Sequence, residues 1–229
     1  MPQNPFQIYI PLFLQTIAWP AGWVFTRFFL NIKIIGYENI SNIKSPVIFA
    51  VNHTSEIDPI IVTSALPPLS SFLPMYYTSL EKNFYKKYGI RAKIFYGGLF
   101  FKAWGAYPVQ RGIKNYETSL KYHVDILENK KGSVCFFPEG GITKDGNLQE
   151  FKGGVAYLAH RTKTPIVPVH ISGIYKISKK DFFLRKRKAI ISFGAPVRNE
   201  DVFKKNDKYN PEEYKIAAEI IKTRIEALM

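Results

Sequence analysis

Pro46-Val47-Ile48-Phe49-Ala50-Val51 runs directly into Asn52-His53-Thr54-Ser55-Glu56-Ile57-Asp58, which leads into Pro59-Ile60-Ile61-Val62. The first piece is short, apolar and β-branched behind a Ser-Pro boundary, the pattern of a buried strand. Asp-Pro ahead of a second apolar run marks a helix start, with Asp58 as N-cap and Pro59 at the first helical position. A histidine and a carboxylate therefore occupy the turn between a strand and a helix. In open α/β sheets, ligands bind beyond the carboxyl ends of the strands. A His ring held by a carboxylate is a recurrent general base. His53 and Asp58 are thus candidate catalytic residues. The plain alternative is a helix-capping Asp58 beside a merely polar His53, and the spacing alone does not separate the two.

Outward from this stretch, similar units recur. Residues 31–37 alternate as an edge strand, and further strands are expected at 71–77, 133–137, 165–171 and 189–193. Helices are expected from Asp58 to about Leu66, over 114–131, over 154–161, and after Asn210-Pro211-Glu212-Glu213. Two more are expected within 80–104, separated at Gly89. Strands alternating with helices predict an α/β domain with a mixed, largely parallel sheet flanked by helices. On helix 114–131, Leu120, Val124 and Leu127 share a face, which leaves His123 toward solvent. His160 and His170 lack metal-ligand spacing and read as structural.

Two other strand ends carry unusual residues. Gly105-Ala106-Tyr107-Pro108-Val109-Gln110-Arg111 is a short extended piece ending in Arg. Residues 133–137 run into Pro138-Glu139-Gly140-Gly141-Ile142-Thr143, where a glycine pair offers backbone N–H groups to an anion. If these strands share a sheet, their loops meet at one edge. The assembled chemistry is a base, an Arg for a phosphate and a polar glycine loop, which suits transfer to a hydroxyl on a phosphorylated substrate.

The chain of 229 residues fits one domain with a substantial core. Its net charge of +14 implies an anionic partner: nucleic acid, an anionic lipid surface or a phosphorylated substrate. Eighteen Phe, 14 Tyr and 3 Trp accompany the cations, which suits a membrane interface or stacking on single strands. No helix-turn-helix, RNA-recognition motif or zinc-ligand spacing is present, so nucleic acid is not an expected partner. Cys135 lies in an apolar run and reads as a buried thiol in a reducing compartment. Residues 1–26 carry no charged side chain. Pro11 and Pro20 predict two short helices rather than one, and Gln7, Gln15, Trp19, Trp23 and Arg27 suit an interface. Residues 1–30 are therefore expected to be a helical hairpin or interfacial anchor, with a true span or a core-packing helix as alternatives, and to precede a domain spanning 31–229. No basic leader or small-residue cleavage site marks a removable signal. Residues 80–104 and the basic loop 179–188 interleave cations with aromatics, as a solvated face or a lipid contact.

At this point the sequence resembles the glycerolipid acyltransferases, typified by lysophosphatidic acid acyltransferase. The family's ordered blocks are matched by Asn52-His53…Asp58, Gly105…Pro108…Arg111, Phe137-Pro138-Glu139-Gly140 and Ile166-Val167-Pro168-Val169, together with Phe151-Lys152-Gly153-Gly154. The resemblance covers about Ile32 to Val197. It implies that His53, oriented by Asp58, takes the proton from an acceptor hydroxyl, which attacks an acyl thioester without a covalent acyl-enzyme. It implies Arg111 at the acceptor phosphate, Glu139, Gly140 and Gly141 positioning the acceptor, and Thr143 and Lys152 assisting there. The donor would be acyl-coenzyme A or acyl carrier protein as co-substrate, with no resident cofactor and no metal. The acceptor would be a lyso-lipid, most simply 1-acyl-sn-glycerol-3-phosphate, at the cytoplasmic face of a membrane with anionic headgroups. Members using lysophosphatidic acid usually continue Glu-Gly as Thr-Arg-Ser, whereas this chain has Gly141-Ile142-Thr143. A different lyso-lipid or hydroxylated lipid is therefore a second reading, and a non-catalytic lipid-binding relative is a third.

Overall fold

The computed structural model describes residues 6–44, 46–80, 98–110, 115–203 and 209–229. In chain order these form α1 (Phe6–Phe29), β1 (Lys33–Ile35), β2 (Ile48–Val51), α2 (Asp58–Ala65), β3 (Met75–Ser79), α3 (Gly98–Ala103), β4 (Ala106–Pro108), α4 (Tyr116–Ser119), α5 (Lys121–Glu128), β5 (Ser133–Phe136), α6 (Gly154–Thr162), β6 (Ile166–Ser172), α7 (Lys179–Phe183), β7 (Ile190–Phe193), α8 (Asn199–Val202) and α9 (Pro211–Glu226). The strands build one seven-stranded sheet in the order β1-β7-β6-β2-β5-β3-β4. Only β6 and β7 pair antiparallel; every other pairing is parallel. The expected mixed, largely parallel sheet is the one observed, with residues 31–37 supplying its edge strand.

Why β2 sits centrally follows from its side chains. All four of its residues are buried, so both faces must be covered, as in parallel sheets flanked by helices. Successive side chains alternate sides. Ile48 and Ala50 join a cluster with Leu120, Val155, Leu158 and Ile221. Phe49 and Val51 join the opposite cluster with Leu30, Ile61, Val62 and Phe193. In register, Phe49 faces Cys135 on one side and Val167 on the other. Adjacent parallel β2 and β5 therefore release their following loops at the same edge of the sheet.

Residues 6–29 form one continuous helix with both prolines inside it, so the expected break into a hairpin is not found. Pro11 has no N–H for the Gln7 carbonyl four residues back, and that carbonyl instead accepts the Tyr76 hydroxyl at 2.7 Å. Tertiary bonds hold the rest of the helix. The Gln15 amide donates to Met75 O (2.7 Å) and Trp104 O (3.1 Å) and accepts from Met75 N (2.8 Å). Trp19 Nε1 donates to Leu66 O at 3.0 Å. Outward, α1 leaves Phe6, Tyr9, Phe13, Ile17, Val24 and Phe28 exposed. It is long and apolar enough to cross a membrane, by length and composition only.

Three further expectations need correction. The helix expected over 114–131 is interrupted at Leu120, giving α4 and α5. His123, expected in solvent, is fully buried, because positions 120, 123 and 127 share a helical face as well as 120, 124 and 127 do. Part of the basic loop 179–188 is helical, with the Ser178 hydroxyl accepting from Asp181 N at 3.0 Å. The expected pair of helices within 80–104 is described only at α3, since residues 81–97 lie outside the described residues. The C-terminal helix begins as expected: Asn210 Oδ1 accepts from Glu212 N and Glu213 N, both at 3.0 Å.

Burial pushes the His123 imidazole down to about 4, and its Nδ1 has no hydrogen-bond partner. The folded state therefore holds this ring neutral, while the unfolded chain protonates it near its ordinary 6.5. Between those values the unfolded state binds the extra proton, so stability falls as pH falls from about 6.5 to about 4. This group's share is on the order of 3 kcal/mol. Thermal melts of the native chain and His123→Gln across that range should converge or cross as acid is added. Parallel curves would refute the assignment.

Candidate active site

The exit of β2 is fixed by Asn52, whose amide pairs with the backbone of β6: Nδ2 donates to Ile171 O (2.9 Å), and Oδ1 accepts from Ile171 N (2.7 Å). The chain then turns, and α2 begins with Asp58 as its first residue rather than its N-cap, which is Ile57. The Asp58 carboxylate points back into the turn instead of capping the helix. Its Oδ2 accepts from Thr54 N (2.7 Å) and Ser55 N (2.9 Å), and lies 2.9 Å from His53 Nδ1. Its Oδ1 accepts from the Thr54 hydroxyl at 3.2 Å. Asp58 has no solvent exposure, whereas the His53 side chain is 18% exposed. A fully buried carboxyl group needs such partners, and the turn supplies them. An acceptor at Nδ1 places the ring proton there and leaves Nε2 as the basic nitrogen.

The β5 loop locks this histidine from the other side. Glu139 Oε1 accepts from His53 N at 2.7 Å, and its Oε2 accepts from Gln149 N at 2.9 Å. Both carboxylate oxygens thus serve the backbone, which makes Glu139 a brace between two loops. Burial pushes its carboxyl above the ordinary range, opposed by those two N–H donors. Thr143 N donates to His53 O at 2.8 Å, and the His53 ring stacks on Phe137 with centroids 4.1 Å apart. The Thr143 hydroxyl is turned into its own loop, donating to Asn147 O at 2.7 Å. Gly140 sits at φ +73°, and a Cβ there would meet Lys152 Nζ at 2.8 Å. Its N–H is spent on Phe137 O at 3.0 Å, so the glycine pair does not offer that donor to a ligand.

His53, Gly140, Gly141, Ile142 and Lys152 open onto a cavity of about 1040 Å³. That is ample for a lipid-sized ligand. Apolar walls come from Ile57 and Ile60 at the start of α2, Phe101 of α3 with Trp104 just after it, and α1 (Ala18, Trp19). An internal polar pair, Thr63 Oγ1 and Tyr77 Oη at 2.9 Å, interrupts them. Among the described residues no group of three His, Cys, Asp or Glu side chains forms a metal-type cluster. The structure therefore brings together His53, Asp58, Glu139, Gly140, Gly141 and Lys152, with Thr143 behind them. Arg111 lies outside the described residues; Gln110, next to it, lines the cavity. Sequence reasoning missed Phe137 as a stacking partner and Gln149 as the second donor to Glu139. It read Gln15 as an interfacial residue, and no local pattern marked it as a buried clamp.

The sheet is thus mixed and largely parallel, with a His–carboxylate pair in the turn after β2 and a braced Glu-Gly loop after its neighbour β5. A family model described as Acyltransferase matches residues 31–172, and the chain belongs to that family. It is 32% identical over 150 residues to 1-acyl-sn-glycerol-3-phosphate acyltransferase LPAT1, chloroplastic, of Arabidopsis thaliana, covering 65% of this chain and 38% of that protein. It is 27% identical over 198 residues to 1-acyl-sn-glycerol-3-phosphate acyltransferase of Saccharomyces cerevisiae, covering 80% of this chain and 60% of that one. The chain thus spans less than two thirds of the length of these curated relatives. The crystal structure of the 1-acyl-sn-glycerophosphate (LPA) acyltransferase, PlsC, from Thermotoga maritima has the same fold, with a TM-score of 0.60 at 21% identity, covering 95% of this chain and 79% of that chain.

Proposed function

We propose that this protein transfers a fatty acyl group from an acyl thioester to the free hydroxyl of a lysophospholipid, with 1-acyl-sn-glycerol-3-phosphate as acceptor and phosphatidic acid as product. The observation that carries this reading is the His53 Nδ1–Asp58 Oδ2 contact of 2.9 Å beside a large apolar cavity. His53 Nε2 takes the acceptor hydroxyl proton as the oxygen attacks the thioester carbonyl, and Asp58 stabilises the imidazolium that forms. The tetrahedral intermediate collapses, the C–S bond breaks, and the departing thiolate receives the proton from His53. No acyl-enzyme forms. The acyl chains lie along α1, α2 and α3, while Lys152 and Arg111 offer positive charge to the acceptor phosphate. The donor is acyl-coenzyme A or acyl carrier protein. The exposed apolar face of α1 anchors the protein at the cytoplasmic surface of a membrane.

A second reading changes only the acceptor. Ile142 lines the cavity and is 42% exposed, at the position where lysophosphatidic acid-using relatives usually carry Arg. An apolar side chain there withholds a bidentate phosphate clamp and favours a larger or less charged headgroup. Turnover of lysophosphatidic acid, lysophosphatidylglycerol and lysophosphatidylcholine with both thioester donors decides between them. The first reading expects kcat/KM at least about ten-fold higher for lysophosphatidic acid, a difference of about 1.4 kcal/mol. A preference for another lyso-lipid selects the second reading. Binding without transfer to any acceptor defeats both.

A further inference from the structure

The C-terminal end of α1 is welded to α7 by aromatic rings. Phe29 stacks on Phe182 with centroids 4.9 Å apart, Phe25 lies 5.4 Å from Phe182, and Phe29 meets Phe183 edge-on at 6.2 Å. The outer side of this junction is open: Phe28 is 49% exposed, Phe183 67% and Leu184 54%. The Arg185 guanidinium lies over the Phe28 ring at 4.4 Å. Six exposed cations lie within positions 179–188, namely Lys179, Lys180, Arg185, Lys186, Arg187 and Lys188, against the single carboxylate of Asp181, which lies 4.0 Å from Arg187 Nε. Besides Tyr9 and Trp23, the exposed large apolar residues of α1 recur every three to four positions or at one heptad, at 6, 10, 13, 17, 24 and 28. Their stripe, roughly 33 Å long at 1.5 Å per residue, reaches Phe183 through Phe28 and Phe29.

We propose that α7 and residues 184–188 form a second membrane contact, in which the six cations meet anionic phospholipid headgroups while Phe183 and Leu184 enter the interface beside Phe28. This rests on the reading of α1 as the membrane element and adds what that helix cannot supply. A lone apolar helix lying in an interface is indifferent to headgroup charge and free to roll about its own axis. A charged element fixed to one end gives selectivity for an anionic leaflet and sets the roll. The cavity bordered by α1 and α2 then keeps one orientation toward the lipid. A bilayer fits better than a free phosphate, because all six cations are exposed at the surface. A bilayer also fits better than nucleic acid, because two exposed apolar side chains, Phe183 and Leu184, lie between the cations in sequence, and Arg185 itself covers Phe28 at the end of the α1 stripe.

Co-sedimentation with two kinds of vesicle tests the proposal: phosphatidylcholine alone, and phosphatidylcholine with about one third phosphatidylglycerol. Each cation near an anionic surface contributes about five-fold in partition. The triple variant Arg185→Gln/Lys186→Gln/Arg187→Gln should therefore bind the anionic vesicles on the order of 100-fold more weakly, with binding to neutral vesicles unchanged. Added salt should reduce the anionic preference of the native chain. Should the triple variant fail to fold, Lys186→Gln alone is expected to lose about five-fold on anionic vesicles. The proposal is overturned if the native chain binds both vesicles equally, if the variants lose nothing on anionic vesicles, or if salt-sensitive binding to single-stranded RNA appears without a vesicle preference. Native binding to anionic but not neutral vesicles would instead remove α1 as the anchor and leave α7 in place.

Discussion

His53→Ala is expected to lower kcat for acyl transfer by at least about 10³-fold, because among the described residues no other histidine lines the cavity or is held by a buried carboxylate. The fold should survive. Asp58 keeps the Thr54 and Ser55 N–H groups and the Thr54 hydroxyl as donors, so its buried charge is not orphaned. The Glu139 brace and the Thr143 bond both engage the His53 backbone, which alanine retains. Only the stacking on Phe137 is lost from the packing. The measurement is single-turnover transfer from a labelled acyl thioester alongside a thermal melt. Turnover within ten-fold of native, with a native melt, would end the general-base assignment.

The second large effect separates the charge of Asp58 from its hydrogen bonds. Asp58→Asn preserves shape and leaves one oxygen to accept from the turn, but removes the charge that stabilises an imidazolium. We expect kcat to fall by about 10²–10⁴-fold with KM little changed. Asp58→Ala strands three turn donors in a buried site, each costing about 1–3 kcal/mol. Its melting temperature should fall by about 10 °C or more. If Asp58→Asn keeps native kcat while Asp58→Ala melts early, Asp58 is a structural staple for the turn and nothing more.

The parts that the sequence revealed are those whose signal is local. Ile48–Val51 and Ser133–Phe136 announced themselves as strands because burial on both faces demands an unbroken apolar run. His53 and Asp58 lie within one turn, so their meeting needed no knowledge of the sheet. Contacts between distant segments were invisible. That β2 and β5 are neighbours, with Glu139 reaching His53 N across 86 positions of sequence, follows from pairing that no local pattern encodes. The same limit explains the error at α1. Proline statistics describe a helix that must satisfy itself, and here the Gln7 carbonyl is satisfied by Tyr76. It also explains His123, where one shift of helical phase decides between solvent and core.

The Gln15 amide has a practical consequence for anyone wishing to work with this protein in solution. Removing the first thirty residues is the obvious way to free such a chain from lipid. Yet Gln15, Ala18, Trp19 and Gly22 are part of the cavity wall, and Gln15 is stitched to both the N–H and the carbonyl of Met75. A chain cut at Asn31 would be missing masonry along with the proposed anchor. Solubility is better sought by exchanging Phe6, Phe13, Ile17 and Phe28 for polar residues, which leaves the inward side of the helix in place.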